Sequence, residues 1–229
     1  MKLYGHPLSS CTRKVLLTAA EKAARAEEAQ AEEEAQAEEE AQAENEARID
    51  LIPVDLFTGQ HKQPAHLARH PFGVVPVLDD AGFVVYESRA IVRYLDARLA
   101  GPPLVPAALR DRARMDQWLS VDQSYVAPHV RALAVQRLLR PHEGLAPDPA
   151  VVGEAERALA QAFAALDRAL GDAQFLAGAA FSLADISLMP YVAGLSMVDA
   201  AHLIGDLRHV GRWWSEVSSR ASWRRAIAA

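Results

Sequence analysis

The stretch HPFGVVPVLDDAGFVVYESRAIVRYL, residues 70–95, decides the first domain. Two short apolar runs, around Val77 and around Val84, flank Asp79-Asp80-Ala81-Gly82, four residues with turn chemistry. Runs of that length either side of such a turn predict a β-hairpin. Glu87 and Ser88 then open a helix whose apolar residues Ile91, Val92 and Leu95 share one face. Pro76 begins a strand that otherwise reads as buried; a proline there suggests a bend, and a cis bond would leave the preceding backbone unpaired. Upstream, KLY at residues 2–4 and DLIPV at 50–54 read as strands, with a helix beginning near Ser10. Residues 1–100 therefore carry a βαβαββα order, and Gly101-Pro102-Pro103 ends the last helix as a linker.

From residue 104 to 229 the apolar spacing is helical throughout, with breaks at 141–149, 171–181 and 202–206. The fold class is a small α/β domain followed by an all-α domain. Composition agrees: of 229 residues 51% are apolar, but forty-five are alanine and only 7% aromatic, which favours helix. Phe181-Ser182-Leu183-Ala184-Asp185-Ile186 reads as a capping box, Ser182 and Asp185 satisfying the free N–H groups of a buried helix. Trp118, Trp213, Trp214 and Trp223 read as packing residues.

Charge and cysteine use narrow the function classes. Residues 21–46 hold eleven glutamates against Lys22 and Arg25, a local charge of -9, so the remainder of a chain with total charge -6 carries +3. Without a dense basic stripe a nucleic-acid footprint is missing, and no apolar run approaches the length of a membrane span. One cysteine, Cys11, makes no internal disulfide, and the first residues lack a signal-peptide pattern; a reducing, cytoplasmic setting is expected. A small-molecule ligand is the better default.

The acidic segment, about residues 23–47, reads as an insert between the first helix and second strand. Residues 27–44 repeat EEAQAE with a period of six, and six residues turn a helix through about 600°, so no stripe stays on one face. Alanine, glutamate and glutamine favour helix, yet crowded glutamates weaken it. A fully helical insert of 26 residues would travel about 39 Å, whereas a parallel second strand must start near the crossover helix's end. The expectation is an exposed, broken helix that bends within 30–46. A tolerated surface expansion is the plain reading, partner docking the other.

Four motifs sit at strand–helix junctions: Gly5-His6-Pro7-Leu8-Ser9-Ser10-Cys11-Thr12-Arg13-Lys14-Val15, His61-Lys62-Gln63-Pro64, Pro71-Phe72-Gly73-Val74-Val75-Pro76-Val77, and Tyr86-Glu87-Ser88-Arg89-Ala90-Ile91. A hydroxyl at a helix mouth is most often an N-cap. The same place suits an anion, since free N–H groups and the helix dipole favour negative charge. His61 and Lys62 are ordinarily solvated cations, and Glu87 or Ser88 a cap.

In combination and in this order, the motifs resemble the cytosolic glutathione S-transferase family, most of all its phi class and related bacterial members. The resemblance covers nearly the whole chain except the insert. It implies a thioredoxin-like first domain, glutathione as co-substrate, no metal, detoxifying conjugation to electrophilic, mostly apolar compounds, and a homodimer. Residue by residue, it implies that Ser9 donates to the glutathione sulfur and favours the thiolate. Val75, before a cis Pro76, would pair its backbone with the cysteinyl unit. Glu87 and Ser88 would hold the γ-glutamyl end, and His61 and Lys62 the glycyl carboxylate. Leu8 and Tyr125 would face the electrophile.

Two features depart from the phi pattern. Val74 stands where glutamine is usual, which removes one polar contact. Ser9-Ser10-Cys11 is similar to the zeta class, whose members isomerise maleylacetoacetate, although HPFG and ESRAI are phi-like. Cys11 raises thiol transfer as in omega and beta relatives, against the plainer reading of a half-buried small residue. A non-catalytic scaffold that recruits a partner through the acidic insert is the alternative from another class.

Overall fold

The computed structural model describes residues 1–34 and 49–228. Two units divide it: Met1–Val105 together with Arg220–Ala229, and Pro106–Ser219. In the first, strand β1 (Lys2–Gly5) leads into helix α1 (Ser10–Glu34), strand β2 (Asp50–Pro53), a 3-10 turn at Gln60–Lys62 and the short helix α2 (Pro64–Leu67). Strands β3 (Val77–Asp80) and β4 (Phe83–Tyr86) and helix α3 (Ser88–Arg98) complete the order read from the sequence.

The sheet runs β2-β1-β3-β4, with β1 and β2 parallel and the other pairs antiparallel. The hairpin forms as expected: Ala81 and Gly82 both take positive φ, 53° and 96°, and Gly82 N–H donates to Asp79 Oδ1 at 2.8 Å. Positive φ at both central residues matches the strand twist. Leu3, Val77 and Leu78 of the sheet, Val15 and Leu17 of α1, and Ile91, Val92 and Leu95 of α3 are all buried.

Helix α1 differs from the reading in one respect. It continues without a break from Ser10 to Glu34, through about the first half of the acidic segment. Past Leu17 it has no apolar side chain larger than alanine, so hydrophobic burial does not hold it. Buried charges do. Glu21 is buried and accepts from Arg25, Arg220 and Ser222, Arg220 Nε lying 3.1 Å from Oε2. These partners hold the Glu21 carboxyl below its ordinary range although burial acts the other way as the largest single influence. Lys22, also buried, donates to the Gly101 carbonyl at 2.6 Å and stands 3.5 Å from Asp96, which accepts from Leu104 and Val105 N–H. Gly101 has φ 91°, and a Cβ there would lie 2.7 Å from Lys22 O. The expected linker is thus clamped onto α1. The bend predicted within 30–46 lies, beyond Glu34, outside the described residues.

The second unit contains α4 (Leu109–Val121), α5 (Ala127–Ala134), α6 (Arg140–His142), α7 (Pro149–Gly171), α8 (Leu183–Gly194) and α9 (Arg208–Ser218). One-turn π segments at Asp122–Val126 and Val135–Leu139 join the first three. Each stands two residues before a proline, Pro128 or Pro141, whose ring and missing N–H demand a wider turn. Helix α8 is buried along nearly its whole length and begins with the capping box at Ser182 and Asp185. Asp185 also accepts from Leu176 N–H and Trp213 Nε1, and burial raises its carboxyl above the ordinary range. Trp118, Trp213 and Trp223 are buried and Trp214 is partly so, as packing residues would be.

The sequence division assigns everything after residue 104 to the helical domain. The last stretch instead belongs with the first unit: α10 (Ala221–Ala228) packs on α1, tied there by Arg220 and Ser222 to Glu21 and by Arg225 to Glu27. Among the described residues no helix is long and apolar enough to cross a membrane.

Candidate functional site

Sheet topology brings the motifs of the first unit to one edge. Tyr4, Val77 and Tyr86 lie in one row across β1, β3 and β4, and Gly5 pairs Pro53. β1, β2 and β4 end at that edge, and antiparallel β3 begins there. The segments 6–9, 54–62, 74–76 and 87–88 therefore emerge side by side.

The first segment is a tight turn. Ser9 N–H donates to His6 O at 2.9 Å, and Arg13 Nε fastens Pro7 O at 2.8 Å. A Cβ on Gly5 would lie 2.6 Å from Thr12 Cγ2, so only glycine lets α1 start this close to the strand. Ser9 is half-buried and caps α1, its Oγ accepting from Thr12 N–H at 3.4 Å. The cap and the candidate donor are one group: a hydroxyl that accepts from the backbone keeps its own proton for an outside acceptor. Cys11, half-buried and outside any disulfide, stands at the second helical position.

The second segment is folded by Asp55, whose Oδ1 accepts from Phe57 and Thr58 N–H; those bonds hold the Asp55 carboxyl below its ordinary range. His61 and Lys62 occupy the 3-10 turn, and Lys62 Nζ donates to Phe72 O at 3.1 Å. Gly73 joins this turn to the third segment. It has φ 58°, and a Cβ there would lie 2.9 Å from His61 O and 3.0 Å from Lys62 Cδ.

The Val75–Pro76 peptide is cis. The β3 ladder starts at Val77, and among the described residues no hydrogen bond involves the backbone of Val75. The fourth segment turns sharply: Glu87 is exposed with φ 70° and ψ 108°, and Ser88 behind it is buried. A non-glycine residue held there costs about 1–3 kcal/mol, a kind of strain that concentrates at ligand sites. Glu87 O accepts from Ala90 and Ile91 N–H, which opens α3 directly under the carboxylate.

Leu8 lies exposed on the first unit and Tyr125 exposed on the second, within the first π segment. The sequence reading missed Gly5, Thr12 and Gly73 as shaping residues, as well as His66 and His70, which are both buried behind this edge. Gly73 was within reach, since HPFG sets a glycine between two strand-edge segments.

A four-stranded mixed sheet of this order, followed by a helical unit, defines a thioredoxin-like first domain joined to an all-helical one. The glutathione S-transferase N-terminal domain model matches residues 40–97, and the C-terminal domain model residues 124–221. Glutathione S-transferase F10 of Arabidopsis thaliana is 37% identical over 78% of this chain and 85% of its own. The crystal structure of glutathione transferase F7 from Populus trichocarpa covers 99% of this chain and 97% of its own, with TM-score 0.81 and 30% identity. Glutathione S-transferase I from maize, in complex with an atrazine glutathione conjugate, covers 99% and 96%, with TM-score 0.76 and 27% identity. The chain belongs to the glutathione S-transferase family, and its relatives include plant phi-class proteins.

Proposed function

We propose that the chain conjugates the glutathione thiolate to electrophilic, mostly apolar small molecules, with Ser9 stabilising the thiolate. The observation that carries this reading is the Ser9 hydroxyl at the mouth of α1, which accepts from Thr12 N–H and so offers its proton outward. A free thiol titrates at about 8.5, so hydrogen bonding to the sulfur increases the nucleophile present at neutral pH. No covalent enzyme intermediate is involved. The thiolate carbon–sulfur bond forms as the electrophile's leaving group departs.

Other residues at the edge fit the parts of the tripeptide. The backbone of Val75, without a hydrogen bond among the described residues, suits strand-like pairing with the cysteinyl unit. The Glu87 carboxylate suits the γ-glutamyl ammonium, and the α3 N-terminus with Ser88 suits its carboxylate. His61 and Lys62 suit the glycyl carboxylate. Leu8 and Tyr125 remain our candidates for the electrophile. A homodimer follows from the family, and sedimentation of the full chain tests it.

The experiment is turnover of a chlorinated nitroaromatic with glutathione. Ser9→Ala is expected to lower kcat/KM about a hundredfold, as does removal of an oriented donor elsewhere. Cys11→Ala is expected to stay within about twofold. The opposite pattern would replace conjugation by thiol transfer.

A further inference from the structure

Two histidines behind the polar edge have no part in the roles above. His66, in α2, is 4% exposed, and His70, just after that helix, 1%. A buried imidazole loses the hydration of its ring nitrogens, so its partners matter. His66 has a strong one: Nε2 lies 2.7 Å from the carbonyl oxygen of Val74. A carbonyl only accepts, so Nε2 carries the proton and donates. The rings of His66 and His70 stack, and His70 lies tilted over Tyr86 with centroids 4.6 Å apart. His70 O accepts from Gly73 N–H at 2.8 Å. Together the two histidines touch the residues that lead into Val75 and Glu87.

The bond to Val74 has a directional consequence. The Val74 carbonyl and the Val75 N–H belong to one peptide group, planar and trans, in which C=O and N–H point in opposite directions. Holding the oxygen inward against α2 therefore turns the Val75 N–H outward.

We propose that His66 is a positioning residue for glutathione: by fixing the Val74 carbonyl it aims the Val75 backbone at the tripeptide, without touching the tripeptide itself. This rests on the glutathione reading of the site. The stack with His70 holds the donor ring in place, and Gly73, bonded to His70, keeps His61 and Lys62 in register with the same peptide.

The test compares the wild type with His66→Phe, which keeps a ring against His70 but has no donor, and His66→Gln, which keeps an N–H donor of similar reach. Glutathione binding is measured by calorimetry and turnover by steady-state kinetics, all on the full chain. His66→Phe is expected to raise Kd and KM for glutathione about tenfold, equivalent to about 1.4 kcal/mol, with kcat at saturation within about twofold. His66→Gln is expected to recover most of the loss. Unchanged binding in His66→Phe, or equal weakening in both variants, overturns the proposal while leaving the glutathione reading intact. A wild type that does not bind glutathione overturns that reading, and the proposal with it. Should His66→Phe fail to fold, nitrogen-15 spectra of the wild type decide: a His66 ring protonated at Nδ1 instead of Nε2 contradicts the proposal.

Discussion

At the scale of single residues, two positions at the site hold backbone that most side chains resist. Glu87 keeps a carboxylate at φ 70°, where glycine would be easier, which sets the direction of α3's first turn. Gly73 is the converse case, since a side chain there meets His61 O at 2.9 Å as well as an unfavourable φ. Gly73→Ala is expected to destabilise the fold by about 1–3 kcal/mol and to weaken glutathione binding together with it. Denaturant unfolding beside calorimetry checks this, and an unaltered variant would show that the neighbouring turn yields easily. His70 adds a pH effect. Burial, more than any neighbour, pushes its imidazole below the ordinary 6.5, although Glu87 acts the other way. The unfolded chain then takes up a proton that the folded one resists, so stability falls as pH drops below about 6.5. His70→Phe should remove that part of the pH slope.

At the scale of elements, α1 illustrates how polar burial extends a helix beyond its apolar face. Glu21 joins α1 to α10 through Arg220 and Ser222, and Lys22 joins it to the Gly101–Val105 segment through carbonyls and Asp96. Removing one partner of such a set leaves the others buried and unmatched, so Glu21→Gln is expected to cost about 1–3 kcal/mol. The folded pKa of Glu21 is lowered. Its contribution is therefore complete above the unfolded value of about 4.5 and is lost as pH falls through the folded one. Acid unfolding of Glu21→Gln should be correspondingly less steep, and an unchanged curve would place the acid sensitivity elsewhere.

At the scale of the whole molecule, what the sequence made legible divides by the range of the interactions concerned. The Asp79–Gly82 hairpin, the Ser182 capping box and the order of strands and helices rest on chemistry within a few residues, and all appear in the structure. The motif order also pointed to the family. The continuation of α1 did not announce itself, because its supports come from residues near 100 and 220. For the same reason α10 read as part of the helical domain. His66 stayed hidden because its partner is a backbone carbonyl, which has no sequence signature. The acidic repeat bears on function at this scale too. Replacing residues 31–46 with a glycine–serine segment of equal length should leave turnover within about twofold, since the site lies at the sheet edge; a scaffold would instead lose a partner in pull-down.

Ser9 is expected to lower the pKa of bound glutathione. Ultraviolet titration of the thiolate of enzyme-bound glutathione measures this directly in the wild type, Ser9→Ala and Cys11→Ala. A midpoint well below the free thiol's value of about 8.5 in the wild type and Cys11→Ala, returning to that value in Ser9→Ala, is the predicted result. A depressed midpoint that survives Ser9→Ala would contradict it.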